Sequence, residues 1–248
     1  MAFTPVRLKI HRFARCSAKW RCKNVNGWRM TDSRPIEWGF FRQPEKYFQY
    51  EKQEKSMRNK KKQAIRQNRI DSIMQIVRHH AQIWDTEREI LAHKIIDAFY
   101  DTQLGNGIGF YEANAHDDYS PDWQMWRSKD ERIYWEKILA MVNQNCPYPQ
   151  QFHPMSAFTF MDNLGRHFAL PCYLLWELQG RDYFTCYHLA SAYSTNDLPL
   201  NKTQQIVLFE FVQFMSHLYQ QNADDVNLAE WDKVHAHLSK QFMYFQAA

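Results

Sequence analysis

From Glu45 to Leu104 the chain runs for sixty residues without a glycine or a proline. A stretch so free of turn-formers favours helix. Its apolar residues carry the helical period: Ile70, Ile73, Val77, Ala81, Trp84, Leu91, Ile95, Ala98 and Phe99 fall on one stripe, interrupted only at Arg88. The segment reads as one long helix, broken at most once. After Tyr50 its first half is nearly all polar, which suits a helix in solvent or along a charged partner. Its second half is amphipathic and packs. "GNGIG", Gly105 to Gly109, closes it with three of the chain's seven glycines.

The remaining sequence continues in helices. Ser120-Pro121-Asp122 offers an N-cap followed by proline at the first helical position. Ser128 and Glu131 have capping-box spacing ahead of Ile133, Trp135, Ile138, Leu139 and Val142, and that helix should stop before Cys146-Pro147. "CPYPQQFHP" is a loop closed by Pro154. Two or three shorter helices follow over Asp162–Tyr193, punctuated by Gly165, Pro171 and Gly180. Asn201 and Gln204 then begin a helix in which ten of the fourteen residues Ile206–Tyr219 are apolar. It is the expected central helix, with Phe209, Val212, Met215 and Leu218 buried and Glu210, Gln213 and His217 as its polar stripe. In the last helix Leu228, Trp231, His235, Leu238, Phe242 and Phe245 repeat every three or four residues over too short a span for a coiled coil, so packing on the preceding helix is expected. With seven glycines and nine prolines, a turn-rich all-β fold is disfavoured, and at 45% hydrophobic residues the chain can bury a large core. The fold class is mainly α: an irregular basic N-terminal extension over 1–44, a long helical segment over 45–104, and a helical, bundle-like body over 105–248.

Charge is divided unevenly between these parts. Residues 1–70 hold 19 of the 31 Lys and Arg against five acids, a balance of +14, and the remaining residues hold 12 against 22, a balance of −10. A basic front on an acidic body suits a polyanionic partner. Folding of the front over the body's own carboxylates is the competing account.

The densest stretch is "VRLKIHRFARCSAKWRCKNVNGWR", Val6 to Arg29, with eight Lys or Arg, no acid and two tryptophans. Val6, Leu8 and Ile10 alternate with Arg7 and Lys9, the period of an extended strip. Helical spacing further on would set Phe13, Cys16 and Trp20 opposite Arg12, Arg15 and Lys19. Asn26-Gly27, Pro35, Gly39 and Pro44 then forbid a long helix. Phosphate contacts need cations in number, and single-stranded bases need exposed aromatics. Arg7, Lys9, Arg12, Arg15, Lys19, Arg21, Lys23 and Arg29 supply the first, and Trp20 and Trp28 the second. "RNKKKQAIRQNR" adds Arg58, Lys60, Lys61, Lys62, Arg66 and Arg69 on the helix. Without a base-reading motif, affinity would rest on charge and shape, and structured RNA suits an irregular arm better than duplex DNA.

Catalytic and metal patterns are weak by comparison. Glu89 and His93 share a helix face, but no second Glu-x-x-His pair completes a di-iron set. Asp232 with His235, Cys172 with Cys186 and His188, and His11 with Cys16 and Cys22 lack the spacing of closed zinc sites. "GNGIGF" fits neither dinucleotide nor P-loop fingerprints and is read as closing a helix. "HDDY", His116 to Tyr119, is read as a solvated cap. "DNLGRHFALPCYLLWELQG" has a faint helix-turn-helix look, with Pro171 expected to break its second helix. No G-x-S-x-G elbow occurs. Five scattered cysteines suit a reducing, intracellular compartment. The mitochondrion is among those considered, because the Arg-rich, acid-free start resembles a presequence. No apolar run is long enough to cross a bilayer. The expectation is a non-catalytic structural subunit of a large assembly, without cofactor, gripping RNA through residues 6–69. The alternative is an accessory subunit of an organellar or membrane-associated complex whose arm docks on neighbouring subunits or anionic lipid.

Overall fold

A computed structural model describes residues 44–143, 152–194 and 198–247, and among them the side chains of 52–142, 152–193 and 198–240. The expected strip over Val6–Ile10 and the N-terminal arm lie outside the described residues. The described residues are mostly helical, and no strand occurs among them.

The long Gly/Pro-free segment is two helices, α1 (Pro44–His80) and α2 (Thr86–Ala98). The break falls at 81–85, where Asp85 adopts extended backbone and its side chain accepts from the Arg88 N–H, capping α2. Arg88, the one polar residue in the apolar stripe, is itself buried. Its guanidinium pairs with Asp85 and lies over the Phe214 ring, 5.3 Å from the centroid. The interruption is thus a core position filled by a paired cation. Ile70, Ile73, Val77, Leu91, Ile95 and Phe99 are buried as their period predicts.

The glycine loop differs from expectation: it opens a helix. Gly109 is the N-cap residue of α3 (Phe110–Asp117), and the Tyr111 N–H donates to the Asp130 carboxylate (2.8 Å). Asp162 Oδ1 ties the loop to the next layer, accepting from Ile108 N (3.0 Å) and Gly165 N (2.8 Å). The approach is so close that a Cβ on Gly165 would stand 2.0 Å from the Ile108 carbonyl oxygen.

α4 (Trp123–Arg127) starts at Asp122 and not at Ser120; the Ser120 hydroxyl accepts from the Asp122 N–H (3.3 Å). The capping box expected at Ser128 is absent. Ser128 ends α4, donating to the Met125 carbonyl (2.6 Å), and Glu131 alone accepts from the Ile133 and Tyr134 N–H groups (3.0 and 3.1 Å) ahead of α5 (Trp135–Asn143). α6 (Pro154–Phe160) begins at the proline expected only to close a loop.

α7 (Asn163–Leu178) runs through both Gly165 and Pro171 and is followed by α8 (Thr185–Ser194). Pro171 removes one i→i−4 bond, yet every residue from 168 to 179 is buried, and packing on all sides holds the helix together. α7, and not α9 (Lys202–Gln221), is therefore central. Val212 and Met215 of α9 are buried, but Phe209 and Leu218 are only partly so, because α9 covers one side of the core and shows its other side to solvent. Its start is as expected: Asn201 and Gln204 form a reciprocal capping box. α10 (Asp225–Ala247) packs on α9 and α8; Trp231 is buried, edge-on to Phe211 (5.6 Å between centroids).

Candidate nucleic-acid interface

The basic residues of α1 divide according to what each side chain meets. From residue 52 to residue 65 every side chain is exposed; the helix here turns no face to the body. Lys60, Lys61 and Lys62 have no ion-pair partner among the described residues. Successive helical residues are rotated by about 100°, so these three ammonium groups point to three sides. Lys55 and Arg58 share the face of Lys62, at i, i+3 and i+7. Arg58 pairs with Glu54 (2.5 Å), an exposed contact one turn away of the kind that contributes little. Lys55 belongs to this surface too, although it is not among the cations singled out from the sequence; its spacing to Arg58 and Lys62 is the signal that finds it.

Arg66 and Arg69 are used differently. Arg66 donates to the Asp97 carboxylate (2.7 Å) and carbonyl (3.3 Å) at the end of α2. Arg69 makes a two-point pair with Glu136 of α5. Both guanidinium groups lie over Tyr100, at 4.6 and 4.5 Å, and Arg69 also lies over Tyr134 at 4.9 Å, with Lys137 on that ring at 5.0 Å. Arginine and tyrosine alternate here as a clamp, with Asp97 and Glu136 cancelling the charge. These two expected phosphate contacts pair α1 with the body. Arg7, Lys9, Arg12, Arg15, Lys19, Trp20, Arg21, Lys23, Trp28 and Arg29 lie outside the described residues.

Other polar clusters are structural in geometry. Glu89 is held by Arg78 and by the Trp84 indole N–H (2.6 Å). The Arg78 hydrogen bond brings the carboxyl down to about 2, which leaves His93 as a 3.5 Å neighbour of a carboxylate already engaged. Buried Glu112 is neutralised by Arg127 (2.6 Å). Cys172 donates to the Trp135 carbonyl, Cys186 to Asn227, and His188 Nε2 to the Met155 carbonyl (3.1 Å), so the three do not converge. Burial holds His188 down to about 4 and raises Cys186 to about 12, which makes that thiol a poor nucleophile at neutral pH. A cleft of about 330 Å³ between α9 and α10 is lined by Ser216, His217, Asp232 and His235 among others. His217 accepts there from the Gln221 amide (2.8 Å), and His235 stacks on Phe209. Among the described residues no three His, Cys, Asp or Glu side chains are grouped so as to hold a metal ion, and no helix is long and apolar enough to cross a membrane.

The chain belongs to the Family of unknown function (DUF6714), which it matches over residues 86–240, more than half its length. The match begins at the first residue of α2 and covers the helical body; the basic part of α1 precedes it. No curated protein and no solved structure matches the chain.

Proposed function

We propose that this protein is a non-catalytic structural subunit of a larger assembly, holding RNA against the exposed stretch 53–65 of α1 and with the cations of residues 7–29. The observation that carries the reading is the placement of Lys60, Lys61 and Lys62: exposed, without a carboxylate partner among the described residues, and directed to three sides of a helix clear of the body. Such a helix suits a partner that surrounds it with phosphates. An anionic membrane surface is the poorer fit, since a helix lying on lipid needs a broad apolar face. Between residues 52 and 65 only Met57, Ala64 and Ile65 are apolar.

A salt titration tests the reading. Binding to a structured RNA should weaken steeply with salt, because each neutralised phosphate releases counterions. Replacing Lys60, Lys61 and Lys62 together by Gln should flatten the log–log slope by about two to three units and leave the melting temperature unchanged. Replacing Arg66 by Gln should leave the slope nearly as it was, since that side chain already has a carboxylate. A wild-type protein with no affinity for RNA at low salt would overturn the proposal and leave a protein-docking role for the helix.

A further inference from the structure

Glu177 lies near the C-terminal end of α7, where α8, α9 and α10 come together. Its Oε1 accepts from the Tyr219 hydroxyl of α9 (2.8 Å). Its Oε2 is buried and has no partner within hydrogen-bond distance among the described residues; the Thr185 hydroxyl close by favours the ionised form, as Tyr219 does, but less than burial opposes it. Among the described residues, the groups facing this carboxyl carry no positive charge. They are Asp182 in the turn after α7 and Thr185 at the start of α8, Cys186 on α8 with Glu230 of α10 beyond it, and Tyr219 itself. Two cations on adjoining segments are engaged elsewhere: Arg181 donates to the Val142 carbonyl (3.4 Å), and Lys233 pairs with Glu230 (2.6 Å).

A carboxylate so placed gives up its hydration and gains no counter-charge in return. Asp182 adds repulsion. The neutral acid suffers neither penalty. We infer that Glu177 is a proton-operated latch: as the neutral acid it lets α8 and α10 close on α7 and α9, and on ionisation it releases them. Burial raises its pKa to about 7, so the closed arrangement keeps its proton up to neutral pH. The closed arrangement holds the proton more tightly than an opened one. It is therefore fully favoured below the ordinary glutamate pKa, loses about tenfold per pH unit from there up to about pH 7, and is constant above. The whole change is on the order of 10²-fold in the closing equilibrium.

The test is amide hydrogen exchange on the full chain between pH 5 and pH 8, corrected for the intrinsic rise of exchange with pH. In the wild type, protection of α8 and α10 should fall on the order of 10²-fold while that of α2 stays level. In Glu177→Gln, α8 and α10 should keep their protection across the range. Tyr219→Phe removes the hydrogen bond that favours the ionised form, so its transition should move to higher pH by about one unit; this variant decides the matter if the glutamine variant fails to fold. Parallel pH profiles in wild type and Glu177→Gln, an unmoved midpoint in Tyr219→Phe, or an equal loss of protection in α2 would each overturn the latch.

Discussion

Arg69 of α1 and Glu136 of α5, 67 positions apart in the chain, are joined at two points, Nε to Oε1 at 2.7 Å and Nη2 to Oε2 at 2.8 Å. The side chains keep only 21% and 15% of their exposure, so the pair is screened far less than a surface contact. Arg69→Ala strands Glu136 and empties the space between Tyr100 and Tyr134. It should cost about 2–3 kcal/mol in urea unfolding, somewhat under the range for a fully buried pair. Glu136→Gln keeps the packing and should cost less. A loss below about 0.5 kcal/mol for Arg69→Ala would place the pair with ordinary surface contacts.

Two glycines separate crowding from backbone conformation. Gly165→Ala drives a methyl group against the Ile108 carbonyl at 2.0 Å and should destabilise by more than about 3 kcal/mol, as overpacking against backbone does. Gly105 sits at φ +57° with no described atom within 4 Å of its missing Cβ, so Gly105→Ala should cost only the left-handed backbone penalty, about 1–2 kcal/mol. Thermal melts of both variants check the order.

In α9 the weight of the core falls on Phe211. It is fully buried against Trp231, whereas Phe209 is half-buried and stacks on His235. Phe211→Ala should cost about 3–5 kcal/mol and Phe209→Ala less than half as much. Equal losses in chemical denaturation would mean that both sides of α9 are covered.

His188 is enclosed by Phe158 and Tyr173, and burial lowers its pKa from 6.5 to about 4. The unfolded chain therefore takes up a proton that the folded chain refuses between those values. Stability from this group is intact above pH 6.5 and declines as pH falls towards 4, by about 3 kcal/mol in all. Asp130, which burial raises to about 6, acts in the opposite sense. The effect is best read as a difference: the stability gap between wild type and His188→Gln should narrow by about 3 kcal/mol from pH 7 to pH 4. A gap that is constant with pH would show that the imidazole titrates normally.

Local signals were legible in the sequence, and distant ones were not. The Ile70–Ile73–Val77 stripe and the Asn201/Gln204 capping box depend on neighbours within a turn, and both stand as read. Pro171 misled because a proline's effect on a helix is a local cost, and burial on every side of α7 outweighs it. Arg88 interrupted a pattern only because its partner ring, Phe214, is far away in the chain. Arg66 and Arg69 looked identical to Lys60–Lys62 for the same reason: nothing near them in sequence shows that Asp97, Tyr100, Tyr134 and Glu136 are waiting. The exposure of residues 52–65 could be read, since a helix with so few apolar residues has nothing to bury.

The arginine clamp also fixes a phase. Arg66 and Arg69 hold α1 at one rotational setting on the body, and the helix between Arg58 and Ile70 has no break. Each added residue would turn the stretch 53–62 by about 100° and advance it by about 1.5 Å. A single insertion between Lys62 and Arg66 would therefore swing Lys55, Arg58 and Lys62 away from their present bearing without disturbing one buried contact. Seven inserted residues would bring them back to within about 20° of it, displaced by about 10 Å. The body thus acts as a mount that sets the direction in which α1 presents its charge.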